Sequence, residues 1–287
     1  MFTSTSLGPR VHLKAELFQR TGSFKPRGVL NKLASLNEDE RRAGVIGISA
    51  GNHAQALAYC SGLEGVDSLV VMWEGASPQK IEATKGYGAT VDLQAGGPGE
   101  AFVRLAELLE ETRRTLVHPF DDPLVIAGQG TVGLEILEDV PETAVFVVPC
   151  GGGGLVSGIA AAAEGRRVIA VEPELSPALH QGLAEGRSVP VEPQSIADGL
   201  SAPFAGENAL AICRELGVES VLVTEDEIAD GMRFLYTRAK LACEPAAAVG
   251  VAALRARKVA VGDEPAAVVV SGGNVAPKTA AAILSPR

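Results

Sequence analysis

The chain has 287 residues, 46% hydrophobic and 21% charged, a balance that suits a large globular core in two lobes and excludes a disordered chain. Its net charge is −10 with no long lysine or arginine run, which argues against nucleic-acid and anionic-membrane partners, so any bound anion must be held by local donors. No signal peptide opens the chain and no apolar run is long enough to span a bilayer, so a cytoplasmic protein is expected.

Strand and helix patterns alternate almost throughout. Residues 11–17 read as a strand and 26–36 as a helix capped by Ser23. Residues 45–48 form a buried strand, followed by a glycine turn and a helix over 53–61. A strand covers 68–73, a helix 78–87 and an extended segment 90–93; helices follow at 100–112 and 130–138. The second half predicts strands at 144–148 and 168–171 around a helix at 155–163. Long helical stretches at 225–241 and 245–257 come next, then a strand at 266–270 and a closing helix at 277–283. Short apolar strands separated by helices imply an α/β fold with mostly parallel sheets covered on both faces. Hydrophilic stretches at 37–42 and 119–123 are the candidate boundaries. They divide the chain into a large domain, 1–41 plus 122–287, and a small inserted domain, 42–121. Cys60, Cys150, Cys213 and Cys243 are widely spaced and read as buried free thiols in a reducing compartment.

Four places carry unusual chemistry. Lys25 lies between Phe24 and Pro26 at a helix start; a buried amine there could form an imine with an aldehyde cofactor, and an exposed one would only solubilise. Ser49-Ala50-Gly51-Asn52-His53 joins a strand to a helix, where free amides and the positive dipole end suit a carboxylate. The alternative there is a helix cap made by Ser49 or Asn52, with His53 a structural hydrogen-bonder. Cys150-Gly151-Gly152-Gly153-Gly154-Leu155 spends about 0.5–1 kcal/mol of backbone entropy per glycine. A phosphate cradled at a helix N-terminus offsets that cost; a flexible turn is the plain alternative. Ser271-Gly272-Gly273-Asn274 follows an apolar strand, either as an ordinary turn or with the Ser271 hydroxyl placed for a neutral ring nitrogen. A competing reading is a dinucleotide-dependent oxidoreductase, with Glu172 at the next strand end as the ribose-binding acid. Ser157 stands where that pattern needs its third glycine, and the reading leaves Lys25, Asn52 and Ser271 unexplained.

Together these segments resemble the fold-type II pyridoxal-phosphate enzymes (tryptophan synthase β-like), specifically the threonine/serine dehydratase and serine racemase group. The match rests on 23–28, 49–55, Ala127-Gly128-Gln129-Gly130-Thr131, the tetraglycine turn, Ala197-Asp198-Gly199, Glu244-Pro245 and 271–274, in the family's order over nearly the whole chain. The resemblance implies that Lys25 holds the cofactor covalently and that Phe24 lies beside its ring. Asn52 would bond the phenolic oxygen, and Gly151, Gly152, Gly153, Gly154 and Leu155 the phosphate. Ser271 would bond the ring nitrogen, and Ser49, Ala50, Gly51, Asn52 and His53 would line the substrate carboxylate site. It implies dehydration and deamination of a β-hydroxy amino acid, threonine or serine, by a homodimer. Alternatives are an amino-acid racemase of the same family and a non-catalytic pyridoxal-phosphate-binding protein. Racemases of the family carry a second serine where this chain has Ala50. Relatives bind a divalent cation through an acid at Glu172, but Ala178 occupies the partner position, which leaves a cation in doubt. Ala247 replaces a family glycine, with crowding of the ring or a shifted helix as the expected effect. The arm before 4–7 is expected to be missing, and with no regulatory domain after the catalytic unit, feedback by isoleucine is not expected.

Overall fold

Short runs rich in valine, isoleucine and leucine become strands here because β-branched side chains fit a pleated surface that is buried on both faces. The computed structural model describes residues 1–4 and 6–285; Thr5, inside the 4–7 stretch, lies outside the described residues. Among these are strands β1 (Phe2–Thr3), β2 (Val11–Ala15), β3 (Val45–Ile48), β4 (Ser68–Trp73), β5 (Thr90–Ala95), β6 (Thr115–Leu116), β7 (Val145–Pro149), β8 (Arg167–Pro173), β9 (Glu219–Val223) and β10 (Ala266–Val270). One sheet runs β1-β2-β10-β7-β8-β9, the other β5-β4-β3-β6. Among these described strands every pairing is parallel except β1 with β2, as the α/β reading expects. The chain divides into two compact units, Met1–Phe24 with Gln129–Arg287, and Lys25–Gly128. The four-stranded sheet lies wholly within 42–121.

In the first unit, period-two alternation fills both faces of the six-stranded sheet. Val145 and Val147 of β7 join Val268 of β10 and the helix Pro245–Arg255 on one face. Phe146 and Val148 join Val269 and the helix Gly154–Ala162 on the other. Each such side chain, fully buried, contributes about 1.5–3 kcal/mol. The second unit repeats the scheme. Val45, Val70 and Met72 pack with the helix Asn52–Glu64, and Ile46, Leu69 and Val71 with the helix Pro98–Thr112.

Several boundaries differ from expectation. The strand expected at 11–17 ends at Ala15, because Glu16–Phe18 turns into a 3-10 helix. Ser23 does not cap the helix Pro26–Ala34. It is extended (φ −160°, ψ 168°) and bridges Gly272, while Lys25 takes the cap position in helical geometry (φ −56°, ψ −34°). Pro26, which needs no amide partner at the first helical position, makes a capping side chain dispensable. The helix expected at 130–138 starts back at Pro123 and ends at Asp139. The stretch 37–42 is mostly a helix, Glu38–Ala43, held by the Asn37/Glu40 capping box and burying no residue, so no apolar stripe announced it. The helices Ala178–Glu185 and Glu207–Glu215 and strand β9 were also unexpected.

Candidate active site

In parallel sheets, ligand sites lie beyond the carboxyl ends of the strands. In the first unit β7 and β10 are neighbours, so the turns after Pro149 and Val270 leave the same edge side by side. The turn after β7 needs its glycines. Gly153 has φ +94°, and a β-carbon on it would come 2.8 Å from Ala209 Cβ. One on Gly151 would meet the Leu200 backbone at 3.0 Å. Gly152, Gly153 and Gly154 are buried and Leu155 is 5% exposed. The helix Gly154–Ala162 has no side-chain cap, so its first amides keep donors for an anion. This uncapped, backbone-only cradle fits the phosphate of pyridoxal phosphate.

Ser271 follows β10 and is buried. Its carbonyl accepts the Phe24 amide at 3.2 Å, Gly22 O accepts the Gly273 amide at 2.9 Å, and Asn274 Nδ2 donates to Thr21 O at 2.6 Å. Three hydrogen bonds therefore stitch 21–24 to the Ser271 turn. Thr21 is held at φ 62°, ψ 9°, an unusual conformation for a β-branched residue. Lys25 follows Phe24 by one peptide unit, about 3.8 Å between α-carbons, which ties its backbone to this strand end. Three buried side chains nearby in sequence or motif have unpartnered polar atoms: Thr21 Oγ1, Ser23 Oγ, and both amide atoms of Gln129. Such atoms cost about 1–3 kcal/mol each when unmet, which marks Ser23, expected only as a helix cap, and Gln129, given no site role from sequence, as functional candidates. The motif around Gln129 was the available signal.

In the second unit β3 and β6 are neighbours, and the turns after Ile48 and Leu116 emerge together. Ser49 Oγ accepts the Gly51 amide at 3.0 Å, and the helix Asn52–Glu64 begins without a side-chain cap. The capping alternative for Ser49 or Asn52 is thereby removed, and the positive dipole end of this helix suits a carboxylate. Asn52 and Ala50 are half-buried. His53 is 2% exposed, and its Nε2 donates to Val117 O at 2.8 Å. Burial, then the charge of Lys25, pushes its pKa down to about 3, so the ring is neutral and Nδ1 is a buried acceptor without a partner. Lys25 Nζ donates to Pro119 O at 2.6 Å. His118 accepts the amides of Phe120 and Asp121 on Nδ1; burial lowers its pKa, with Lys25 adding to the effect and Asp121 opposing it.

Glu172 lies fully buried in β8. Its carboxylate accepts Leu179 N at 2.7 Å, His180 N at 2.8 Å and Ser220 Oγ at 3.1 Å. Burial raises its pKa to about 7 against those three bonds. The carboxylate thus caps the helix Ala178–Glu185, and a ribose or a cation would have to displace amide donors to reach it. Among the described residues no group of three or more His, Cys, Asp or Glu could hold a metal ion. Ala247 is wholly buried in the first unit's core, and its helix is unbroken. All four cysteines are free and buried. No helix among the described residues is long and apolar enough to cross a membrane.

A family model described as "Pyridoxal-phosphate dependent enzyme" matches residues 2–272. An L-threonine ammonia-lyase of Thermotoga maritima is 43% identical over 273 residues, 93% of this chain and 68% of the relative. One of Geobacter sulfurreducens is 44% identical over 286 residues, 98% of this chain and 71% of the relative. Among solved structures, maize serine racemase superposes with a TM-score of 0.91 at 34% identity, covering 97% of this chain and 88% of that one.

Proposed function

The chain belongs to the pyridoxal-phosphate dependent enzymes, and we propose that within them it is an ammonia-lyase for a small β-hydroxy amino acid, threonine or serine. The observation that carries the reading is Lys25. Its backbone follows the segment stitched to the Ser271 turn, and its amine meets a carbonyl beside the turn after β6. The two ammonia-lyase relatives support the same reaction.

When bound, pyridoxal phosphate supplies an electron sink for the charge left at the substrate α-carbon. Lys25 would hold the cofactor and would serve as the general base for the substrate α-proton. The amides of 151–155 would receive the phosphate, Ser271 would bond the ring nitrogen, Phe24 would lie beside the ring, and Asn52 would bond the phenolic oxygen. A hydroxyl at Ser271, unlike a carboxylate, would not force a proton onto that nitrogen, a setting that would favour loss of a β-hydroxyl. Ser49, Ala50, Gly51, Asn52 and His53 would receive the substrate carboxylate at the start of the helix Asn52–Glu64. His53, neutral by burial, adds no charge to compete with Lys25. Loss of water leaves an enamine that hydrolyses to ammonia and a 2-oxo acid: 2-oxobutanoate from threonine, pyruvate from serine. Amino-acid racemisation is the second reading, favoured by the likeness to maize serine racemase and opposed by Ala50, which cannot carry a proton.

We further propose a homodimer acting in the cytoplasm, with a large domain 1–41 plus 122–287 and a small one 42–121; the four free, buried thiols support a reducing compartment. The test begins with colour. The purified protein is expected to be yellow, borohydride to fix the cofactor on Lys25 as read by peptide mass spectrometry, and Lys25→Ala to be colourless and inactive. No 2-oxo acid from threonine, serine or other β-hydroxy amino acids would overturn the reaction.

A further inference from the structure

The turn that receives the Lys25 amine has an unusual support. Its carbonyl, Pro119 O, accepts Lys25 Nζ at 2.6 Å. The residue before Pro119 is His118, whose Nδ1 accepts two backbone amides, Phe120 at 3.3 Å and Asp121 at 2.8 Å. The ring also meets Phe120 edge-on, with centroids 4.6 Å apart. An acceptor for the amides two and three residues on is the job an asparagine or aspartate side chain does in an Asx turn. Here an imidazole does it, and only the form with Nδ1 unprotonated can.

We propose that His118 is a positioning residue for Lys25: its neutral ring fixes the turn that presents the Pro119 carbonyl to the lysine amine. This rests on the reading of Lys25 as the catalytic amine. The carbonyl takes one N–H of the amine, which limits the directions in which the nitrogen lone pair can point. A proton on His118 Nδ1 removes both amide bonds at once and sets a second cation near Lys25.

The groups that act on the His118 charge are Lys25, His53, Asp121 and Asp122. Lys25 opposes protonation, and His53 is neutral. Asp121 and Asp122 favour it, but Asp122 is engaged by Lys32 at 2.7 Å. Burial is the largest influence and keeps the ring neutral. The acceptor is therefore intact at neutral pH and lost on the acid side of the ordinary imidazole range.

Two variants separate this from a merely structural role. His118→Asn keeps an acceptor for the two amides and cannot titrate. His118→Phe keeps the ring against Phe120 and removes the acceptor. In the full chain freed of cofactor, acetic anhydride labelling of Lys25, read by mass spectrometry, is expected to be at least about threefold faster in H118F than in the parent, and unchanged in H118N. In the loaded enzyme, kcat for threonine should fall on the order of 10²-fold in H118F, the scale set by an ångström of misplacement, with KM nearly constant. H118N should keep most of the parent kcat at pH 8 and lose its acid limb. Equal labelling in all three proteins overturns the proposal whether or not the parent turns over threonine. So does an acid limb retained in H118N. A parent that labels as expected but makes no 2-oxo acid sinks the lyase reading and leaves the positioning role supported by the labelling. If H118F does not fold, H118N decides through its pH profile and labelling.

Discussion

Thr21 stores free energy in the segment that leads to Lys25, and removing its side chain should release it. The residue is 8% exposed at φ 62°, ψ 9°, and the left-handed region costs a residue with a β-carbon about 1–2 kcal/mol. Its hydroxyl is buried without a partner, a further cost of about 1–3 kcal/mol. Thr21→Gly removes both. Against this stand about 0.8 kcal/mol for the lost methyl and about 0.5–1 kcal/mol for the extra freedom of glycine in the unfolded chain. The net expectation is roughly 0–4 kcal/mol of stabilisation, about 2 kcal/mol at mid-range, or on the order of 4–8 °C in the melting midpoint at mid-range. Thr21→Val separates the two sources: it retains the strain and removes only the unpartnered hydroxyl, so its gain should be the smaller. Thermal and urea melts of the three proteins measure this. The bond from Asn274 reaches the Thr21 carbonyl, so both variants keep the stitch to the Ser271 turn. A lower midpoint for Thr21→Gly, or a larger gain for Thr21→Val, refutes the reasoning.

Other outcomes follow from the same geometry. Gly153→Ala, at φ +94° with 2.8 Å to Ala209 Cβ, should cost about 1–3 kcal/mol in strain alone and weaken cofactor retention, read by dialysis of the yellow protein; full retention with unchanged stability would count against the cradle. Asn274→Ala removes the 2.6 Å bond to Thr21 O and should lower kcat several-fold with KM little changed, whereas a change in KM alone would show that the stitch does not serve Lys25. The two units should respond oppositely to pH in hydrogen exchange corrected for intrinsic rates. His53 binds its proton at about 3 when folded against an ordinary 6.5, so the unfolded state holds more protons between those values. Protection in the helix Asn52–Glu64 should therefore fall by up to about 1.4 kcal/mol per unit as pH drops below 6.5. Glu172 binds its proton at about 7 when folded against an ordinary 4.5, so the folded state holds more protons in that window. Protection in β8 should fall as pH rises from 4.5 to 7, and parallel profiles in the two units would contradict both assignments.

What could be read from sequence follows from what is local. The strands Val45–Ile48 and Ala266–Val270 are continuous apolar runs, and the turns after them carry glycine and short polar residues, so element and motif coincide in a few residues. The helix Glu38–Ala43 buries nothing and has no stripe to detect. Strand β9 is largely half-exposed and lacks a continuous apolar run. Glu172 was legible as an acid at a strand end, read for a ribose or a cation, but not as a cap, because the helix it caps was itself unrecognised. The support for Lys25 is the least local of these. Pro119 lies far along the chain, inside a stretch that reads only as a hydrophilic boundary, and its carbonyl has no sequence signature. Ser23 shows the converse: a serine before a helix looks like a cap, yet pairing with Gly272 holds it extended.

The choice between elimination and racemisation turns on one turn in the second unit. Likeness of the whole chain does not decide it, since ammonia-lyases and a serine racemase both match at substantial identity over most of the chain. Racemisation needs a proton returned to the face of the α-carbon opposite Lys25. Ala50 has no group that exchanges a proton, and the hydroxyl beside it, Ser49 Oγ, is held by the Gly51 amide at 3.0 Å. His53 does not replace it readily: its Nε2 proton is committed to Val117 O, and its Nδ1 takes up a proton only near pH 3. On the proposed assignment Lys25 is then the base for the α-proton, and with the Ser271 hydroxyl in place of a carboxylate, loss of the β-hydroxyl would be expected to precede return of a proton to the other face.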